Sequence, residues 1–296
     1  MSDQTALYVY ALVRHAPGAA DGVTGLDGRP LRLVRVPGTG FAALVHDASP
    51  APFEGGDDQV RRWVDQQSRA VTAVWERVGS LLPMTFNVLV ADEPPAADSP
   101  GGGGGGGRRA EQRLMDWLTE RAPEITAQLD ELTGRCELRV EITVDRTALA
   151  PQEASTPMGD TRLAARTAGM RRLLAKQREQ NLRDAAGQLA DTLHAEARHR
   201  LLSVAEDYRD RGRVHRAPDE TDVLSAALLV RQEDIDTVGT VLTELGTRHP
   251  AVRIRFLGPW PPYSFTAENQ GMGEAGAPGG AGSGAGADRA GTGGGL

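Results

Sequence analysis

Apolar positions along this chain follow two periods, and the switches between them mark the elements. Residues 6–13, ALYVYALV, are a short run rich in β-branched and aromatic side chains, bounded by polar residues and by Pro17-Gly18, and read as a buried strand. Residues 31–36 alternate Leu31, Leu33, Val34 and Val36 with Arg32 and Arg35, and Pro37-Gly38-Thr39-Gly40 turns the chain into 41–46, predicting a hairpin. From residue 57 to 78 the period lengthens: Val60, Val64, Val71, Val74, Trp75 and Val78 recur at helical spacing and Gly79 supplies a stop, so this helix packs on the sheet. Leu81-Leu82-Pro83 leads into a further strand at 84–90. Leu114, Trp117 and Leu118 share one helical face, and Pro123 restarts a helix through Ile125, Leu129 and Leu132. Residues 136–144 return to strict alternation, with Cys136, Leu138, Val140, Ile142 and Val144 inward and Glu137, Arg139, Glu141 and Thr143 outward, the pattern of a one-sided sheet.

Residues 161–208 contain no proline and read as one long helix, a rod of roughly 65 to 70 Å at 1.5 Å per residue. Its stripe is Leu182, Ala186, Leu189, Leu193, Ala197, Leu201 and Val204, a near-heptad that needs a partner surface, interrupted upstream at Gln177, Arg178 and Asn181. A buried strand at 223–230, VLSAALLV, an amphipathic helix at 234–245 and a last strand at 252–257 follow. The fold class is therefore α+β in two domains. The first is an α+β unit over 1–146 with a glycine-rich loop at 94–108; then come a polar connector at 147–160 and a long helix with a ferredoxin-like α+β layer over 161–265. Gly, Ala and Ser dominate 266–296, a tail without the apolar side chains that order a chain.

Composition narrows the function. A net charge of -7 and a pI near 5.5 give no basic field, so nucleic acid and anionic membrane are not the expected partners. Lys176 is the single lysine and Cys136 the single cysteine, so an intramolecular disulfide and a cysteine metal cluster are excluded. No window reaches a membrane span and the first residues lack a basic leader, so a cytoplasmic protein is expected.

Catalytic and cofactor signatures are weak. His194 and His199 are five apart and do not share a helical face, while His15, His46, His215 and His249 sit at element ends where surface histidines are common. Cys136 reads as a small buried apolar residue. The glycine run at 101–107 lacks the lysine and hydroxyl residue of a phosphate loop, and the Arg61-Arg62, Arg108-Arg109 and Arg171-Arg172 pairs are balanced by nearby acids. No cofactor, metal or catalytic residue is expected.

One segment differs. Gly258-Pro259-Trp260-Pro261-Pro262-Tyr263-Ser264-Phe265 packs three prolines and three aromatics into eight positions after the last strand, where it is predicted to leave the sheet as an extended, proline-stiffened strip displaying Trp260, Tyr263 and Phe265. Such rings cover the open end of a core or meet a partner, and the two roles are compatible. This strip, the opening LYVYALV, the Leu82-Pro83 step and the VLSAALLV strand together resemble the GvpL/GvpF family of gas vesicle proteins over most of residues 5–266. The family commonly has an arginine and a glycine where this chain has Thr85 and Asn87, so roles tied to those positions are not carried over.

The resemblance implies a two-domain α+β protein without known catalytic activity. It implies action in nucleating or assembling the vesicle shell, through contact with the small, very hydrophobic shell subunit GvpA and with other Gvp proteins, and a gas vesicle location. An accessory protein of that kind would offer apolar surface or a sheet edge to the subunit. The candidate partner-binding side chains are Trp260, Tyr263 and Phe265 of the strip and Leu182, Leu189 and Leu193 of the long helix. A cytoplasmic small-ligand sensor or enzyme on a ferredoxin-like layer is the alternative, supported by fold analogy alone.

Overall fold

A computed structural model describes residues 5–93, 108–149, 168–211, 217 and 219–266. The glycine run, most of the connector and the tail beyond residue 266 lie outside the described residues.

The first strand, β1 (Ala6–Arg14), is the centre of a five-stranded sheet. β3 (Phe41–Ala48) pairs along one side of it and carries β2 (Arg32–Arg35) on its outer edge. The other side is shared by β4 (Leu81–Pro83), opposite Ala11 to Val13, and β5 (Leu89–Ala91), opposite Ala6 to Tyr8. Of the strand expected at 84–90 only the end forms, as β5, while β4 lies on the Leu81-Leu82-Pro83 segment before it. Between them Asn87 takes φ 70, its amide group bonds Phe53 N and O at 2.9 and 3.1 Å, and its own N–H donates to the Tyr8 hydroxyl at 2.9 Å. Asparagine, after glycine, best tolerates the left-handed region, so Asn87 can hold this turn.

β1 is buried on both faces. Tyr8, Tyr10, Ala11 and Val13 join one apolar cluster and Leu7, Val9 and Leu12 another, because a bulge between Val9 and Ala11 puts two successive residues on one side. The first cluster is covered by α1 (Asp57–Val78) through Trp63, Ala70, Val71, Val74 and Trp75. Asp57 and Asp58 complement the positive end of that helix, and Gly79, at φ 71, closes it by returning its N–H to Trp75 O. The second cluster is covered by α2 (Ala110–Glu120) and α3 (Ala122–Glu131) through Leu114, Leu118, Ile125 and Leu129.

The second sheet has four strands in the order β7-β8-β6-β9, with β6 (Arg135–Asp145), β7 (Asp207–Asp210), β8 (Glu220–Arg231) and β9 (Val252–Trp260). Every neighbouring pair is antiparallel. After the short α4 (Arg146–Leu149), α5 (Ala168–Leu202) connects β6 to β7, and α6 (Ile235–Arg248) connects β8 to β9, which completes the βαββαβ order of a ferredoxin-like sandwich. Hydrogen bonding therefore assigns β6 to the second sheet, although the sequence reading closes the first domain behind it. The alternation of β6 is legible locally; its partners are more than sixty residues downstream, and their pairing is decided by tertiary contact.

The long helix is also shorter than expected. It stops at Leu202, and Asp207–Asp210 form an edge strand on β8. Glu206 starts that pairing by donating its N–H to Leu229 O, and its carboxylate is gripped by Arg135 and Arg231, a tertiary tie that overrides helix propensity. Ala186, Ala190, Leu193, Ala197 and Leu201 of α5 and Val238, Leu242 and Leu245 of α6 cover the face of the sheet presented by Cys136, Leu138, Val140, Ile142 and Val144.

Candidate functional site

The opposite face of the second sheet is not the solvated surface that its alternation predicts. Glu137 is fully buried, Thr143 and Asp145 are nearly so, and the strip covers Glu137. β9 runs on through the start of the strip, and Trp260 pairs with Glu137 across a bulge. The chain then turns through Pro261 and Pro262, both buried, into a single 3-10 turn, Tyr263–Phe265. The extended strip read from the prolines is replaced by strand followed by turn, since pairing with β6 is available as far as Trp260 and the Tyr263 and Phe265 N–H groups find carbonyls inside the strip itself.

Gly258 makes this path possible. Its φ of 122 suits glycine alone, and a Cβ there would lie 2.8 Å from Glu137 O.

The side chains over this face interlock. Glu137 accepts the Ser264 N–H at 2.7 Å and the Ser264 hydroxyl at 3.0 Å, and receives Arg139 Nε at 3.0 Å, with Arg211 at 3.8 Å. Arg139 stacks over Trp260, with Cζ 4.9 Å from the ring centroid, and Arg209 over Phe265 at 5.0 Å. Tyr263 packs against the first apolar cluster, its hydroxyl pKa pushed up by burial and by Glu137, whereas Phe265 packs against the second. The strip therefore touches both cores of the protein. Sequence reasoning missed Glu137, Arg139, Arg209 and Arg211, because charged residues alternating on a strand signal a solvated face; Ser264 inside an otherwise apolar strip was the available hint of a buried polar partner.

Beneath Tyr263 lies the polar part of the first core. Tyr8 donates to Gln67 Oε1 at 2.6 Å, Gln67 Nε2 donates to Met84 O at 2.9 Å, and the Tyr10 hydroxyl accepts Leu26 N–H at 2.7 Å while lying 2.9 Å from His46 Nδ1. His46, expected at the surface, is buried at the end of β3, stacked on Tyr8 at 5.3 Å, and burial lowers its pKa to about 4. Burial raises Tyr8 to about 12 and Cys136 to about 11, so these groups are neutral near pH 7 and serve packing.

The six nominated side chains do not converge. Trp260, Tyr263 and Phe265 lie on the Glu137 face of the second sheet, and the α5 residues on the other. Leu193 is fully buried and Leu189 packs against the same core, so the heptad stripe finds its partner surface inside the protein; Leu182 is half-buried. Exposed large apolar side chains among the described residues are Met170, Leu173 and Leu202 on α5, Phe256 and Leu257 on β9, and Val64 on α1, which the sequence pattern placed on the packed stripe of that helix. Among the described residues β9 pairs with β6 alone, which leaves its other edge open.

A cleft of about 310 Å³ between α5 and β8 is lined by Asp191, His194, Asp210, Arg211 and Asp222, but His194 Nδ1 is held by Val223 O at 2.8 Å. Among the described residues no His, Cys, Asp and Glu side chains are grouped to hold a metal ion, and no helix is long and apolar enough to cross a membrane.

Comparison with known proteins agrees with this architecture. The sequence model described as gas vesicle synthesis protein GvpL/GvpF matches residues 6–267. The chain is 31% identical to gas vesicle protein L2 of Halobacterium salinarum, covering 88% of this chain and 91% of that protein. It is 29% identical to gas vesicle protein L of a Streptomyces species, covering 90% and 94%. Among solved structures, gas vesicle protein GvpF from an Anabaena species superposes with a TM-score of 0.60 at 16% identity, covering 88% of this chain and 95% of that one. GvpF from Microcystis aeruginosa gives 0.57 at 17%, covering 88% and 98%. With a family match running from the first strand to the end of the strip, this chain belongs to the GvpL/GvpF family of gas vesicle proteins.

Proposed function

We propose that this protein is an accessory factor in nucleating and assembling the gas vesicle shell, and that it binds the hydrophobic subunit GvpA together with other Gvp proteins. Family membership supports the gas vesicle role, and the observation that carries the capture reading is the open edge of β9, with Phe256 38% and Leu257 45% exposed beside half-buried Trp260. An edge strand offers unpaired backbone groups and alternating side-chain contacts to an extended apolar segment, while the rest of the sheet stays intact. Of the strip's aromatics, Trp260 adjoins this edge, and Tyr263 and Phe265 support it from within. No catalytic step is assigned.

Pull-down of GvpA by the purified chain tests this reading. Phe256→Ser with Leu257→Ser should lower capture about tenfold without changing Tm, and Trp260→Ala should lower it less. Undiminished capture by the folded double variant would move the docking surface elsewhere.

A further inference from the structure

The end of the strip is attached to the body of the protein in an unusual way. Among the described residues, hydrogen bonds of 261–266 fall into two groups. Tyr263 N to Pro261 O, Phe265 N to Pro262 O and Thr266 Oγ1 to Tyr263 O stay inside the segment. The two that leave it, from Ser264 N and Ser264 Oγ, both end on the carboxylate of Glu137. Pro261 and Pro262 are buried without an N–H to satisfy, so the body need not provide backbone acceptors for them. What remains is side-chain packing: Tyr263 against the first apolar cluster, Phe265 against the second and beneath Arg209. Tyr263 also lies within electrostatic reach of Tyr8 on β1, and Glu137 belongs to the second sheet, so this one turn bridges the two sheets.

We propose that residues 261–266 are a strap across the seam between the two sheets, seated on one buried carboxylate, that of Glu137, and that the strap opens and closes as a unit. Cooperativity follows from the attachment. A segment held by a ladder frays one bond at a time, whereas here both outward bonds share one acceptor and are lost together. On opening, Glu137 keeps Arg139 at 3.0 Å and Arg211 at 3.8 Å as charge partners, so the carboxylate is not left uncompensated and the open form is reachable without unfolding the sheet. Opening uncovers the Tyr8 side of the first core and frees the seam to shift. The device concerns the protein alone and holds whichever partner it meets.

Hydrogen exchange on the full chain tests it, read at the amides of 263–266 and at β1 and β8. Ser264→Ala removes one outward bond, and Glu137→Gln replaces the acceptor by a group that presents a donor as well. Each should speed exchange at 263–266, and the pair together by tenfold or more, while β1 and β8 keep their native rates. Ser264→Thr, which retains both donors, should restore slow exchange. A label pair at Arg35 and Thr243, one on each half, should show a broadened distance distribution in the double variant. Native exchange at 263–266 in the double variant would overturn the proposal. So would equal acceleration in every strand, since Glu137 would then be an ordinary support of the fold.

Discussion

The two sheets close their second faces in opposite ways. The first sheet is sandwiched between helices, α1 on one side and α2 with α3 on the other, and both interfaces are mainly apolar, with the Tyr8–Gln67 and Tyr10–His46 bonds set into the α1 side. The second sheet has α5 and α6 on one side; on the other, Leu229 joins the apolar cluster of α2 and α3, and a short strip lies on Glu137, Arg139, Arg209 and Arg211. Apolar layers are non-directional and large, so they hold the fold through many contacts and not through one fixed geometry. A polar seat is directional: it fixes one geometry and depends on a few atoms. The difference locates robustness in the first half and adjustability in the second.

The largest effect should come from breaking an apolar interface. Leu118→Ala, at a fully buried position between α2 and the first sheet, should lose about 2–5 kcal/mol of stability by denaturant titration. A loss under about 1 kcal/mol would mean that this layer is less tightly packed than the comparison requires.

Next is acid sensitivity, which belongs to the first sheet. The folded pKa of His46, about 4, lies below the value near 6.5 of an exposed histidine, so between these pH values the unfolded chain binds the extra proton. Stability is whole above about pH 6.5 and falls as pH drops toward 4, by on the order of 3 kcal/mol for this group. His46→Gln should flatten that limb of a Tm-versus-pH curve. Asp145, whose pKa is held at about 2 by its bonds to Thr147 and Arg253, keeps its charge across the same window, so a limb that persists in the variant would have to come from another group.

The smallest effect tests the strip's approach. Gly258→Ala should destabilise by about 1–3 kcal/mol, because alanine must take a backbone conformation essentially restricted to glycine and its Cβ meets Glu137 O. The change should alter exchange in β6 and β9 and leave β1 alone. Equal disturbance of both sheets would erase the distinction between them.

Much of this was legible in the residues. ALYVYALV could only be buried on both faces, the 57–78 periodicity with Gly79 gave helix and stop, and the final eight-residue string carried the family. Where the reading failed, a distant partner had decided. Asp207–Asp210 prolong a helical pattern until Leu229 offers a strand to pair with, and Asn87 breaks a strand because Phe53 and Tyr8 bond its amide and backbone. Glu137 alternates like a surface residue, and its burial follows from Ser264 arriving 127 positions later.

The sequence by itself determined most of the elements, their apolar faces and the family, since periodicity and propensity act over a few residues and report local burial. Only the tertiary structure decided that β6 opens the ferredoxin-like unit, that the α5 stripe is spent inside the protein, and that the strip rests on a buried charge. Each of these depends on which distant groups complete a hydrogen bond or remove a face from water, and chain separation hides that choice from any local pattern.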